Sequence, residues 1–194
     1  MPNVEVNGIA LEYAEKGKGQ PVIFVHGGSE DLRTWNDQLT AFSSMYRAIA
    51  TSCRGYYPNK ALRSSEKITL NTFVEDLAGL IRILQLAPVH LTGHSSPGGF
   101  GSLLLAHEQP ELLRSLVLVE PPAFSLLGVD IPPKPVQILR LLISDPRIAM
   151  GFVRFGARGI GPALKAFERG DDEKGLRTFM KMNLGAEAFD QMPR

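Results

Sequence analysis

The stretch VHLTGHSSPGG, at residues 89–99, decides the predicted fold. Its first four residues form a short, mostly apolar run that suits a buried strand, and Gly98-Gly99 opens a segment that suits a helix. A strand that turns sharply into a helix at Gly93-His94-Ser95 holds the serine hydroxyl clear of its own backbone. The stretch therefore predicts an exposed serine nucleophile at the end of a strand.

Strands and helices are predicted to alternate on both sides of this turn. Apolar strands are expected at 22–25, 46–51, 89–92 and 116–119, after an N-terminal hairpin around Asn7-Gly8. Helical patterns are expected at 31–44, 73–84 and 98–108, with Thr69 or Asn71 capping the second. This alternation predicts an α/β fold with a mostly parallel sheet flanked by helices.

The pattern changes after Pro122, where strand signals end. Pro132, Pro133 and Pro135 predict a stiff linker, and helical segments are expected at 136–143, 146–155, 162–169 and 171–182. We therefore predict two regions, a core at 1–124 and an all-helical cap at 125–194. The apolar cap residues fit a pocket lining or a helical core equally well: Leu141, Leu142, Ile148, Phe152, Phe155, Leu164, Phe167 and Phe179.

Composition narrows the function classes. The 21 Lys and Arg residues balance 20 Asp and Glu without a basic block, which argues against a nucleic-acid partner. Cys53 is the single cysteine, so an intramolecular disulfide and a cysteine-rich zinc site are excluded. The N-terminus lacks a signal-peptide layout and no apolar run reaches the ~18 residues of a membrane span, so we expect a cytoplasmic protein without membrane contact. No metal, flavin, nucleotide or phosphate motif is recognisable, so no cofactor is predicted.

Four landmarks in a fixed order carry a resemblance to a known family. They are His26-Gly27-Gly28, Arg54-Gly55-Tyr56, Gly93-His94-Ser95 and the strand at 116–119. On these residues the chain resembles the α/β-hydrolase superfamily over most of 4–124. The resemblance implies an eight-stranded, mostly parallel sheet, often with a helical cap after the sixth strand. Since about six strands are predicted here, we expect the chain to be C-terminally incomplete, with the last strands missing and the cap truncated.

The resemblance also implies roles for individual residues. Ser95 becomes the nucleophile because Gly93 stands two residues before it, whereas counting back from Gly98-Gly99 leaves Ser96 as a second candidate. The backbone N–H groups of Ser96 and Gly28 would form the oxyanion hole. The simpler alternative for Ser95 is a cap for the following helix.

Other family positions are implied to be structural. His26 would hold the Gly27-Gly28 loop by hydrogen bonds and would not act as the base. Arg54-Gly55-Tyr56 resembles a loop that braces the site, with Ser52 where the family pattern has an aspartate.

A catalytic triad also needs an imidazole and a carboxylate. His90, His94 and His107 stand at positions from which none is expected to meet Ser95, and the resemblance places the catalytic histidine on a loop after the eighth strand. Glu120, at the end of the strand at 116–119, is the candidate acid, with a capping or salt-bridged carboxylate as the equal alternative. Asp130 and Asp145 are weaker candidates.

These features favour a hydrolase of ester, lactone or similar acyl substrates, acting through an acyl-enzyme on Ser95 and incomplete in this chain. Its substrate would be a small apolar acyl compound of unspecified identity. The alternatives are a non-catalytic binder of small ligands and a cofactor-free haloperoxidase or acyltransferase. An exposed apolar edge at 116–119 would also invite pairing of two copies into a homo-oligomer.

Overall fold

The computed structural model describes residues 1–61, 68–122 and 133–192. Backbone proximity divides the chain into two compact units, Met1–Ala123 and Phe124–Arg194. The first unit contains every described strand, and the described elements of the second are all helical.

The described residues of the first unit form a six-stranded sheet. In chain order, the strands are β1 (Asn3–Val6), β2 (Ile9–Lys16), β3 (Gln20–Val25), β4 (Tyr46–Thr51), β5 (Val89–His94) and β6 (Leu113–Val119). Their spatial order is β1-β2-β4-β3-β5-β6. The β3–β4, β3–β5 and β5–β6 pairs are parallel, while β1–β2 and β2–β4 are antiparallel. The predicted α/β class and mostly parallel sheet are confirmed.

Helices flank this sheet close to the predicted positions. They are α1 (Asn36–Phe42), α2 (Leu70–Ile83) and α3 (Gly98–Glu108), with short 3₁₀ turns at Leu32–Trp35 and Pro110–Leu112. The helix expected at 31–44 is thus divided, because a 3₁₀ turn precedes α1. Thr69 caps α2, its side-chain oxygen accepting a hydrogen bond from the Thr72 N–H at 3.1 Å.

The core lies on both faces of the sheet, as strand alternation requires. In β3, Val22 and Phe24 pack on one face against a cluster that includes Trp35 and Leu39. Ile23 and Val25 face the opposite cluster, which α2 and α3 complete. Because both faces are covered, β3 is apolar throughout its buried part, as central parallel strands are.

Strand β6 is the outermost strand of the described sheet on the side of β5. Val117 is 53% exposed and Val119 is 38% exposed. Such an apolar edge can pair with another chain. Association of two copies through β6 stays a prediction.

The second unit consists of helices in its described residues. They are α4 (Pro135–Ser144), α5 (Pro146–Phe155), a π-helical turn at Gly156–Ile160, α6 (Gly161–Glu168), α7 (Asp172–Leu184) and α8 (Ala186–Asp190). Leu141, Ala149 and Phe152 pack together where α4 meets α5. Among the described helices, none is both long enough and apolar enough to cross a bilayer.

One expectation about this unit was wrong, and one of its helices was not predicted. Pro135 is the first residue of α4 and not part of a linker, because the first helical turn tolerates a residue without an N–H. The short helix α8 was missed, since its five residues are too few to show a helical period. Pro132 and the candidate acid Asp130 lie outside the described residues.

Candidate active site

The turn between β5 and α3 holds Ser95 in an unusual backbone conformation. Its φ is +50°, in the left-handed region that a residue with a Cβ rarely adopts. The Ser95 N–H donates to the Val119 carbonyl at 2.9 Å, and the Ser95 carbonyl accepts from the Phe100 N–H at 2.9 Å. Both backbone groups are therefore paired, which stabilises the strained turn from β6 and from α3.

Ser95 does not cap the following helix. The N-cap position of α3 is Pro97, and no side chain forms a capping hydrogen bond there. The capping alternative is wrong because the turn places two residues between the serine and the first residue of the helix.

Glycines let the neighbouring backbones approach this turn. A Cβ on Gly98 would lie 2.5 Å from the His26 carbonyl oxygen, and one on Gly27 would lie 3.2 Å from the Ser95 Cβ. A Cβ on Gly93 would collide with the Gly98 backbone. Gly93 and Gly98 therefore have no room for a side chain, and a side chain at Gly27 would require its neighbours to shift by a few tenths of an ångström.

The loop and the turn that carry the two amides expected to bind an oxyanion lie against each other. A Cβ built on Gly28 would be 2.9 Å from the Ser96 carbonyl oxygen, so the loop after β3 touches the serine turn. An isolated antiparallel bridge pairs Gly27 with Pro97, and because proline has no N–H, this pairing directs the Gly28 N–H at the Ser96 carbonyl oxygen. Within the described residues of this unit, the Ser96 N–H donates no hydrogen bond, and Ser96 is half-buried, so a ligand oxygen can reach that donor.

His26 connects the loop after β3 to the loop after β4 by hydrogen bonds. Its Nε2 accepts from the Cys53 N–H at 3.0 Å, and its Nδ1 lies 2.7 Å from the Gly27 carbonyl oxygen, to which it donates. The side chain is fully buried, and burial lowers the pKa of His26 below 6.5. A neutral imidazole with both nitrogens engaged is a structural group, as the resemblance implied.

The other three histidines form no hydrogen bond with the Ser95 side chain either, and all lie in the described part of the chain. His90 Nδ1 is 2.7 Å from the Ser115 Oγ, and His107 is exposed in the last turn of α3. His94 Nδ1 is 3.0 Å from Glu30 Oε2. The described residues thus offer Ser95 no imidazole as a hydrogen-bond partner.

Glu120 follows β6 directly beside the serine turn. His94 and Val119 are paired in register, so Glu120 comes next to Ser95 along the two parallel strands. Its φ is +47°, a second left-handed residue at this edge of the sheet. It is exposed, and its side chain forms no hydrogen bond or ion pair with the described residues. The salt-bridged alternative is therefore not seen there.

Asp145, a weaker acid candidate, is a helix cap in the second unit. Its Oδ1 accepts from the N–H groups of Arg147 and Ile148, both at 3.1 Å. These bonds satisfy the first turn of α5, which explains the residue without a catalytic role.

A buried ion pair braces the loop after β4. The Arg54 guanidinium donates to Asp76 Oδ1 at 2.7 Å and to Oδ2 at 2.8 Å. Asn7 donates to the same carboxylate at 3.0 Å.

Ser52, which stands where the family pattern has an aspartate, is satisfied by two hydrogen bonds. Its Oγ accepts from the Leu32 N–H at 3.0 Å and donates to the Tyr57 carbonyl at 2.6 Å.

Sequence reasoning missed one residue of this site, Glu30. Its carboxylate contacts both the loop after β3 and the residue before Ser95. Its position three residues after Gly27 gave a weak signal for a loop-closing side chain, but nothing in the sequence indicated His94 as its partner. No group of three or more His, Cys, Asp or Glu side chains converges as metal ligands would within the described residues.

The chain is similar in sequence to known proteins of one family. Residues 20–137 match the family model described as the alpha/beta hydrolase fold. Epoxide hydrolase 2 of Siraitia grosvenorii is 40% identical over 92 residues, which is 47% of this chain and 29% of that protein. Non-heme chloroperoxidase CPO-A1 of Kitasatospora aureofaciens is 34% identical over 114 residues, 58% of this chain and 41% of that protein.

Solved structures agree in fold. The crystal structure of the epoxide hydrolase VrEH1 from Vigna radiata aligns with a TM-score of 0.57 at 37% identity, covering 60% of this chain and 37% of that one. An epoxide hydrolase structure from Bacillus megaterium gives a TM-score of 0.59 at 27% identity, covering 62% and 42%. The chain spans less than half the length of these relatives. With its sheet order, its strained serine turn and a family match over 20–137, the chain belongs to the α/β-hydrolase fold family.

Proposed function

We propose that the protein hydrolyses ester, lactone or similar acyl substrates through an acyl-enzyme on Ser95. The observation that carries the proposal is the left-handed Ser95 turn, with the Gly28 loop against it and a Ser96 N–H that donates no hydrogen bond within the described residues of its unit. A serine hydroxyl presented next to an unsatisfied N–H donor suits attack on a carbonyl carbon, whose oxygen becomes an anion.

The reaction proceeds in two steps. Ser95 Oγ bonds to the carbonyl carbon, its proton passes to a base, and the carbonyl oxygen takes the electron pair and binds the Gly28 and Ser96 N–H groups. Collapse of this intermediate expels the alcohol, which takes up the proton, and water then releases the acid in the same way. Each oxyanion donor contributes about 2.7–4 kcal/mol to the transition state.

The proposal requires a base and an orienting acid. None of the four histidines is hydrogen-bonded to the Ser95 hydroxyl among the described residues, so in this structure they do not fill the role of base. We assign the acid to Glu120, because it is exposed and next to Ser95 along the strand register.

An acyl substrate fits the serine better than an epoxide does. Attack of a hydroxyl on an epoxide carbon forms an ether, which water does not readily cleave, whereas attack on a carbonyl forms an ester that water can hydrolyse. The epoxide-hydrolase relatives therefore support the fold and a small apolar substrate more strongly than they support epoxide opening here.

The chloroperoxidase relative favours a second candidate, a cofactor-free haloperoxidase or acyltransferase. Both would form the same acyl-enzyme and would transfer the acyl group to an acceptor other than water, such as a peroxide or an alcohol. Product analysis with and without such an acceptor separates them from a hydrolase.

The decisive experiment is labelling with a fluorophosphonate, which captures activated serines, followed by intact mass and peptide mapping. We expect one adduct on Ser95, none in Ser95→Ala, and a retained adduct in the matched control Ser96→Ala. An adduct on Ser96 would move the nucleophile by one residue. Complete absence of labelling would favour the non-catalytic ligand binder.

Substrate assays then test the reaction class and the acid. A p-nitrophenyl ester should be turned over and styrene oxide should not, since only the ester leaves a hydrolysable intermediate. Glu120→Gln should lower kcat while leaving the melting temperature unchanged, because Glu120 is exposed and has no described partner. An unchanged kcat would remove Glu120 from the acid role.

A further inference from the structure

One carboxylate oxygen joins the two loops of the candidate site. Glu30 Oε2 accepts a hydrogen bond from the Gly27 N–H at 3.1 Å and lies 3.0 Å from His94 Nδ1, which donates to it. The Glu30 N–H in turn donates to the Gly27 carbonyl at 3.3 Å. The segment from Gly27 to Glu30 is thus closed on itself and tied to the end of β5.

Both partners of Glu30 stand directly before residues of the candidate site. Gly27 immediately precedes Gly28, and His94 immediately precedes Ser95. The Glu30 carboxylate therefore bridges the residue before one oxyanion donor and the residue before the nucleophile. Its two bonds connect the loop after β3 to the serine turn through side chains, beside the backbone bridge that pairs Gly27 with Pro97.

The pair is poorly suited to a purely stabilising role. The side chains of His94 and Glu30 are 27% and 25% exposed, and partly exposed contacts of this kind contribute little to folding free energy. Alignment of catalytic donors is far more sensitive, since a misplacement of about 1 Å can cost 100-fold in rate. A contact of this kind affects geometry more than stability.

We propose that Glu30 is a positioning residue that holds the Gly28 loop against the Ser95 turn. The inference rests on the proposed function, because positioning affects catalysis only if Ser95 reacts. Glu30 touches no reacting atom in this assignment. It acts through Gly27 on the loop and through His94 on the turn.

The experiment compares Glu30→Leu, which keeps similar bulk but accepts no hydrogen bond, with Glu30→Gln, whose amide oxygen can still accept from Gly27. Glu15→Leu is the matched control, because Glu15 pairs with Arg47 at 2.9 Å, is 30% exposed and lies in β2 away from the serine. Three quantities are measured on the full chain. They are the rate of Ser95 capture by the fluorophosphonate, the melting temperature, and hydrogen exchange at the Gly27 amide.

We expect Ser95 in Glu30→Leu to react with the fluorophosphonate at least about tenfold more slowly than in the wild type. Hydrogen exchange at the Gly27 amide should be faster, and the melting temperature should be like that of Glu15→Leu. Glu30→Gln should recover a large part of the rate, and with an ester substrate Glu30→Leu should lower kcat without raising KM. Glu15→Leu should match the wild type in capture rate and in Gly27 exchange.

The outcomes separate this inference from the proposed function. Equal capture rates in wild type and Glu30→Leu overturn the positioning role and leave Ser95 as the nucleophile. A fall in rate that follows a fall in melting temperature well below that of Glu15→Leu assigns Glu30 a structural role and also overturns it. If the wild type is never labelled, the proposed function fails. If the Gly27 amide then also exchanges at the same rate in Glu30→Leu as in the wild type, the positioning role of Glu30 is rejected as well.

Discussion

At the scale of single residues, two of the four described non-glycine residues with positive φ lie at the candidate site. Ser95 and Glu120 have φ values of +50° and +47°, although neither is a glycine. Such a conformation costs about 1–3 kcal/mol per residue and persists only where the surroundings impose it. Here the Ser95 N–H is held by the Val119 carbonyl, the residue just before Glu120. This hydrogen bond therefore links the two strained positions across β5 and β6.

The buried His26 predicts a particular pH dependence of stability. Burial lowers its folded-state pKa below the unfolded value of 6.5, so the unfolded chain takes up a proton first as the pH falls. The contribution of neutral His26 is fully present above pH 6.5 and is lost as the pH falls below it towards the folded pKa. Melting temperatures of the wild type should therefore fall more steeply than those of His26→Gln between about pH 7 and about pH 5.

The exposed His107 supplies the control for this experiment. His107→Gln controls for the loss of an imidazole as such, because the residue lies in the last turn of α3 outside the buried network. A constant difference in melting temperature between wild type and His26→Gln over the whole pH range would contradict the assignment of the effect to His26.

At the scale of elements, the approach of α3 to the sheet depends on residues without side chains. A Cβ on Gly98 would lie 2.5 Å from the His26 carbonyl oxygen and 2.6 Å from that of Val25. Both are backbone atoms of the chain that leaves β3, so they cannot turn aside as a flexible side chain could. The helix start and the loop after β3 are thereby held in register with each other.

Gly98→Ala should therefore reduce the free energy of unfolding by about 1–3 kcal/mol, because the helix must shift away from β3. Gly151→Ala is the matched control, since Gly151 lies within α5 and a Cβ there meets nothing within 4 Å. Alanine at that site should stabilise by about 0.5–1 kcal/mol through its helix propensity. Denaturant titration of both variants measures the difference, and equal effects would contradict the close approach at Gly98.

At the scale of the whole molecule, the first unit is tied together by one buried ion pair. Arg54 comes from the loop after β4, Asp76 from α2, and Asn7 from the turn between β1 and β2. The side chains of Arg54 and Asp76 are only 16% and 5% exposed. Three segments distant in sequence therefore depend on one carboxylate.

Removing that carboxylate alone should be costly. Asp76→Ala removes the carboxylate that Arg54 and Asn7 share and should reduce the free energy of unfolding by about 3–5 kcal/mol. The double variant Arg54→Met with Asp76→Leu should be less destabilised than Asp76→Ala, because both charges of the pair are removed together. Chemical denaturation of the two variants tests this, and a double variant that is the less stable of the two would contradict it.

Much of the fold could be predicted because its signals are local. The apolar strand at 22–25, the helical period after Phe73 and the Gly98-Gly99 helix start each depend on neighbouring residues, and each lies at its predicted place. The division of the helix at 31–44 and the short α8 could not be predicted, since end geometry is set by packing and five residues show no period. The prediction that Pro135 belongs to a linker was wrong, because proline is accepted at the first position of a helix as readily as in a stiff linker.

The sequence by itself determined the α/β class, the order of the strands along the chain and the serine at the turn, because hydrophobic period and glycine spacing are properties of adjacent residues. Only the tertiary structure decided what lies against that serine. It showed that Val119 holds its N–H, that His26 and His94 are engaged elsewhere, and that Glu30 joins the two loops. Contacts between residues as far apart as Glu30 and His94 arise only when β3 and β5 pair in parallel, since pairing brings their carboxyl ends to one edge of the sheet.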